Sequence, residues 1–360
     1  MKKGIFITGA ICLIAFTALL LFTYIFVAKG REAKELKVGL IMNGTHDDRG
    51  LSEVHFDPLY KISKDRGLVL EYFENVPVDE SSMDRMVELI EDGCSLIVLD
   101  SSFYEDYART VAIAHPEVNF TCFYGNSYMP NFLTFTGRLY QAHYLTGIVA
   151  GLQTDSGNIG FYSQNREPIL ITGVNAFTLG VKKVNPEAKV FVRFSGTGDD
   201  KKDAADFINK RKLDILACDG VSDEPLAAAE ESGVWSIGMH FDLSDRYPNT
   251  FLTGAVLDLT DFYSEQIQRC ERGIFLGEND HVGIDGNALD IVPLSEHVKS
   301  GVEEEVDAER QLMKDRKKDV FYGPITDING DVRVNEGESM PDREVLYDLE
   351  WFVSGVIIDE

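Results

Sequence analysis

The chain has 360 residues, 44% of them hydrophobic and 11% aromatic, with a formal net charge of −26 from 60 acidic and 34 basic residues. That length and apolar content exclude a disordered chain and fit an N-terminal segment followed by two lobes. The acidic balance excludes a partner held by its phosphate backbone, because nucleic-acid binding needs a concentrated basic surface.

The amino terminus opens with Lys2 and Lys3, followed by an uncharged run from Gly4 to Ala28 and closed by Lys29 and Arg31. At 1.5 Å per residue that run exceeds the roughly 30 Å bilayer core, so residues 1–35 read as an uncleaved signal anchor, a transmembrane helix with the body on the extracytoplasmic side of the cell membrane. Cys12 follows Ile11 and does not fit a lipid-attachment site. The five cysteines show no metal-ligand spacing, so no metal is expected, and they leave the compartment open.

From Lys37 onward short apolar runs alternate with amphipathic stretches of helical length, the pattern of βαβ units on parallel sheets. Strands are expected at 38–42, 68–73, 96–100 and 118–123, with helices at 52–66 and 81–91. The unit then repeats: a helix at 140–151, a strand at 158–162, a helix at 169–184 and a strand at 188–194. A helix at 202–210 and strands at 213–217 and 233–238 complete it. The fold class is therefore α/β, with two doubly wound, Rossmann-like lobes and a ligand cleft between them. Lobe 1 is assigned 36–145 plus about 255–290 and 320–360, and lobe 2 is assigned 146–254. The helix at 259–272 and the strand at 287–291 are expected to cross back to lobe 1, and 295–319 reads as an exposed amphipathic helix.

No G-x-S-x-G elbow, phosphate-binding loop or H-E-x-x-H motif is present, so neither an enzyme nor a cofactor is expected. His55, His115, His143, His240, His281 and His297 are scattered, each read as a surface or core histidine. The acid pairs Asp47–Asp48 and Asp199–Asp200 read as caps, and Asp327 to Asp331 reads as a turn. In open α/β sheets ligands lie beyond the carboxyl ends of the strands. Candidate positions are therefore 43–52, 101–104, 124–126, 162–165, 219–222 and 239–242, whose rings, amides and carboxylates suit a flat polar ligand.

Residues 135–151, 156–160, 173–180, 184–188, 237–242 and 322–327, together with the ending at 351–355, resemble the basic membrane protein (BMP, Med-like) solute-binding proteins of ABC transporters. The likeness covers about residues 36–356 and implies a type I periplasmic-binding fold. It further implies capture of a purine nucleoside or nucleobase by hinge closure and delivery to a membrane permease, by a monomer. The alternative reading is a membrane-anchored ligand sensor, or a degenerate paralogue acting through a protein partner. Carried over by position, Asp48, Ser52, Ser102 and Phe103 come from lobe 1, and Asp219, His240 and Asp242 from lobe 2. Two positions depart from the family. Leu51 stands where an aromatic is usual, and Leu257 and Asp258 stand where a lysine or tryptophan is usual. Either the ligand differs or Phe103 and Tyr104 supply the missing ring.

Overall fold

In a computed structural model, residues 36–195, 198–220 and 222–359 are described. Among them no helix is long and apolar enough to cross a membrane, and the anchor expected at 1–35 lies outside the described residues.

The first sheet is built from β1 (Lys37–Ile41), β2 (Val69–Phe73), β3 (Cys94–Leu99), β4 (Asn119–Phe123), β5 (Phe132–Gly137) and β11 (Asn279–Val282), in the order β11-β5-β4-β3-β1-β2. Every pairing in it is parallel. Such a sheet is covered on both faces, and the near-continuous apolar run of β3 is the expected sequence for it. The covering helices are α1 (Leu51–Arg66), α2 (Ser81–Glu91) and α3 (Glu105–Ala114).

The second sheet repeats the order. It contains β6 (Asn158–Ser163), β7 (Lys189–Phe194), β8 (Ile215–Asp219), β9 (Trp235–Met239), β10 (Phe251–Leu257), β12 (Leu289–Ile291) and β15 (Val356–Ile358), arranged β12-β10-β9-β8-β6-β7-β15. Only β12 runs antiparallel, against β10. Its helices are α4 (Tyr140–Gln153), α5 (Pro168–Val184), α6 (Asp200–Arg211) and α7 (Glu224–Ser232).

Three crossings link the sheets. Helix α4 carries the chain from β5 to β6; α8 (Thr260–Arg272) leads back from β10 to β11 and packs on α1; and residues 283–288 return it to β12. Two assignments change as a result. The strand expected to cross back at 287–291 belongs to the second sheet, with β11 taking its place in the first, and the end of the chain, expected with lobe 1, pairs β15 with β7 in the second. The reason is visible at Asp359, whose buried carboxylate is clasped by Arg193 and Arg211 of the second lobe. Helix α9 (Val302–Lys314) is packed by one face, burying Val302, Val306 and Met313, and Glu309 among them binds Lys318 and the Tyr144 hydroxyl. Asp327 forms the expected turn between β13 (Ile325–Thr326) and β14 (Val332–Val334), accepting from the Asn329 and Asp331 amides.

Helices α4 and α5 touch backbone to backbone. A Cβ at Gly147 would lie 2.1 Å from the Phe177 carbonyl oxygen, and one at Gly180 would lie 2.1 Å from that of Tyr144. Replacing glycine by alanine inside a helix normally stabilises it by about 1 kcal/mol. Here the added methyl forces the helices apart, and overpacking of this kind costs about 1–3 kcal/mol. Urea denaturation should therefore show Gly147→Ala to be destabilised; a stabilised variant would mean that the helices do not approach this closely.

Candidate functional site

Each sheet has its strand order reverse at one place, between β1 and β3 in the first and between β6 and β8 in the second. The chain leaves adjacent strands in opposite directions there, which opens a crevice at their carboxyl ends. The two crevices face one another and form a cavity of about 620 Å³, within the usual range for small-molecule sites, roughly 300–1,000 Å³.

The lobe 1 wall begins at Asp100, at the end of β3. Its Oδ2 accepts from Ser52 Oγ at 2.7 Å and from the Asn43 amide at 2.9 Å, while Ser52 Oγ accepts from the Gly44 amide. The loop after β1 is thus tied to the end of β3. Asp48 shapes its rim by accepting from the Gly50 and Glu53 amides. Burial pushes the Asp100 carboxyl up to about 6, against the pull of these donors, and its Oδ1 has no partner. Phe103 and Tyr124 add rings, the former 67% exposed and the latter held in a left-handed backbone conformation (φ 57°).

Lobe 2 contributes Gln164, Asn165, Asp219, Gly220, Met239 and His240 from the loops after its strands. The helices at the crossing supply Leu139, Tyr140, His143, Ile169, Leu170 and Thr172. Asp219 is enclosed, and burial raises its carboxyl to about 7. The same desolvation lowers His143 to about 3 and His240 to about 4, so both imidazoles are neutral at physiological pH. Among the described residues the lining includes the carboxylates Asp48, Asp100, Glu167 and Asp219 and no lysine or arginine.

Of the nine residues expected to bind ligand, Asp48, Ser52, Phe103, Asp219 and His240 line this cavity, as does Leu51. The other four do not. Tyr104 is fully buried in the first lobe, its hydroxyl donating to the Val76 carbonyl, so it cannot replace the ring missing at Leu51; Tyr124 is placed to do so. Ser102 begins a short 3₁₀ turn whose neighbours Ser101 and Phe103, not its own side chain, reach the cavity. Asp242 and Asp258 are exposed and cap their own turns, accepting from the Ser244 and Thr260 amides. Leu257 is buried beside Gly137. His143, read only as a scattered histidine, faces the same cavity as His240. The signal for His143 was a titratable residue in a helix apolar all round.

A second cavity of about 590 Å³ lies behind the crossings. Its basic side chains are already paired, Arg138 with Asp342 and Asp285, Arg316 with Asp285, Lys317 with Asp315 and Lys318 with Glu309. The cleft between the lobes, with its unpaired polar atoms, is the candidate site.

Residues 35–323 match the model of a protein family described as ABC transporter substrate-binding protein PnrA-like (Bmp). Among characterised relatives, a purine-binding protein of Brucella abortus is 24% identical over 329 residues, spanning 90% of this chain and 93% of its own. A putative ABC transporter glucose-binding protein of Haloferax volcanii is 26% identical, spanning 80% and 72%. Two solved structures share the fold. A solute-binding protein of an ABC transporter system from Conexibacter woesei superposes with a TM-score of 0.69 at 19% identity over 79% of this chain and 98% of its own. A transcriptional activator of the comK gene from Bacillus halodurans gives 0.71 at 22%, over 78% and 99%.

The Asp219 carboxyl makes stability depend on pH with a definite sign. Its folded value lies above the ordinary 3.8, so the folded state keeps a proton that the unfolded chain releases. Stability therefore falls as pH rises from about 4 to 7, and the loss is complete above that. Asn carries no such proton. Thermal melts should show Asp219→Asn more stable than wild type at pH 8 and close to it at pH 4.5; an equal shift at both would rule out a titrating Asp219.

Proposed function

The chain belongs to the family of PnrA-like ABC transporter substrate-binding proteins, and from that premise we propose that it captures a purine nucleoside or nucleobase between its lobes and presents it to a membrane permease. The observation that carries this reading is the composition of the cleft: the aromatic rings of Phe103, Tyr124 and Tyr140, apolar walls and four acidic side chains, with no cationic side chain among the described lining residues.

A flat heterocycle fits the rings of Phe103 and Tyr124, which can stack on its faces, and the side chains of Leu51, Leu139, Ile169 and Met239, which exclude water from its rim. Ribose hydroxyls suit Asp48 and Asp100, because a carboxylate accepts from two donors at once. A phosphorylated ligand does not suit the cleft. Its charge would meet several carboxylates in a poorly solvated space where like charges repel strongly. The name of the Brucella relative points to purines; that of the Haloferax relative points to glucose, for which the two rings and apolar walls are less apt. Among the described residues the chain passes between the lobes at the three crossings, so closure is a rotation about them, and the closed form is what a permease would recognise. The uncharged run from Gly4 to Ala28 between basic residues supports tethering of the body at the outer membrane face.

Thermal-shift and calorimetric titrations of the full-length protein test this. Adenosine, guanosine or inosine should stabilise it, by about 2.7 kcal/mol at a hundred times the Kd, and the matching 5′-monophosphates should not. Phe103→Ala should weaken nucleoside binding about fivefold, the loss of a stacked ring costing on the order of 1 kcal/mol. If glucose shifts the melt and nucleosides do not, the purine assignment is wrong. If no small molecule does, a sensor acting through a protein partner replaces it.

A further inference from the structure

Four buried polar atoms with no partner lie in the walls of this one cavity: Asp219 Oδ1, His143 Nε2, His240 Nδ1 and Asp100 Oδ1. An unsatisfied buried donor or acceptor costs about 1–3 kcal/mol, so such a concentration marks where a ligand completes the hydrogen bonding. Both acids among them are buried, Asp100 1% and Asp219 2% exposed, and of the two Asp219 has no donor among the described residues holding it as a carboxylate. Its carboxylate sits over Gly173 of α5, where a Cβ would lie 2.9 Å from Oδ2 and 3.1 Å from the His143 ring. The His143 Nε2 is 3.5 Å from Asp219 Oδ2, with both side chains at most 4% exposed.

The groups facing Asp219 show which protonation state the site favours. They are the neutral His143 on α4, Tyr124 after β4, and Cys218 on its own strand, with His240 after β9 sharing the cavity wall. On the far side of β8, Tyr162 and the acid Asp200 line an adjoining small cavity. Across the cleft stand Asp48, Asp100 and Glu167. None of these is a cation at neutral pH, and no lysine or arginine among the described residues lines the cavity to hold a carboxylate there. A protonated acid offers one donor and one acceptor side by side. That pair matches a heterocycle edge carrying the complementary acceptor and donor, the ring nitrogen and amino group of an adenine-type base or the carbonyl and N–H of a hypoxanthine-type base.

We propose that Asp219, packed over Gly173 beside His143, is the specificity-determining residue of the cleft and binds in its protonated form to a base edge bearing one donor and one acceptor. The inference rests on the nucleoside reading above. It adds that capture requires a proton on the protein, and that a base lacking the edge pair is rejected.

Calorimetric titration of the full-length protein with inosine and with purine riboside, which lacks the 6-substituent, at pH 6 and pH 8.5, tests it. Inosine affinity should fall about tenfold per pH unit above 7, because only the protonated fraction binds. Inosine should also bind more than tenfold better than purine riboside at pH 6. Asp219→Asn retains a donor and an acceptor, so it should bind inosine with an affinity flat in pH, whereas Asp219→Leu should lose binding by more than tenfold while still melting cooperatively. Inosine binding that is independent of pH in the wild type, or an Asn variant as impaired as the Leu variant, overturns this inference and leaves nucleoside capture standing. Absence of nucleoside binding at either pH overturns both.

Discussion

The contact on which the site depends is the backbone approach of α4 and α5 at Gly147 and Gly180. Helix α4 is the first crossing between the lobes, and α5 covers the second sheet. Because no side chain separates them there, the first turns of both helices converge at the floor of the cleft. This convergence sets the His143 ring on Gly173 and brings it within reach of Asp219 at the end of β8. A wider spacing would leave room for water around Asp219, which would then ionise as an ordinary carboxyl does. Packing at one end of the helix pair thus governs electrostatics at the other.

A site that gathers unpaired polar atoms and four carboxylates is costly to the unliganded protein, and the rest of the fold offsets that cost. Asp100 keeps two donors even without ligand. The end of the chain is secured by Asp359 between Arg193 and Arg211 and by Asn175, which donates to the Trp351 carbonyl and accepts from the Val353 amide. These bonds lie away from the cleft, on the second lobe. They hold the chain end to the lobe that carries Asp219 and His240, while the cost of burying an acid is localised where a ligand relieves it.

The loops of the site were legible in the sequence because their positions follow from topology alone. Once β1, β3, β6 and β8 are recognised as parallel strands, Asn43 to Ser52, Ser101, Gln164, Asn165 and Asp219 must lie at their carboxyl ends. Single side chains within those loops were less legible. Phe103 and Tyr104 are adjacent, yet one turn of 3₁₀ helix sends the first into the cleft and the second into the core. Asp242 and His240 were both favoured by their place in a family motif, but the tight turn that Asp242 caps directs it to solvent, and His240, with φ at 68°, alone takes the inward position. The helix-borne residues were missed for a different reason: the 3.6-residue period of α4 shows burial on every face, and burial does not reveal which face meets a cavity.

The absence of cations from the described lining bears on how the lobes can close. In a cleft neutralised by arginine or lysine, a second ionic partner would hold the lobes together whether or not a ligand were present. Here the facing groups of the cavity are acids and neutral rings, with Arg49 and Arg246 lining an adjoining cavity, so closing an empty cleft brings Asp48 and Asp100 of lobe 1 toward Glu167 of lobe 2 in a poorly hydrated space. A ligand that donates hydrogen bonds to Asp48 and Asp100 and accepts from Asp219 removes that repulsion, and closure becomes favourable only around it. Since a ligand shifts a conformational equilibrium only by its differential affinity for the two states, on the capture reading proposed above this charge pattern favours the open form of the empty protein and lets the closed form signal a filled cleft.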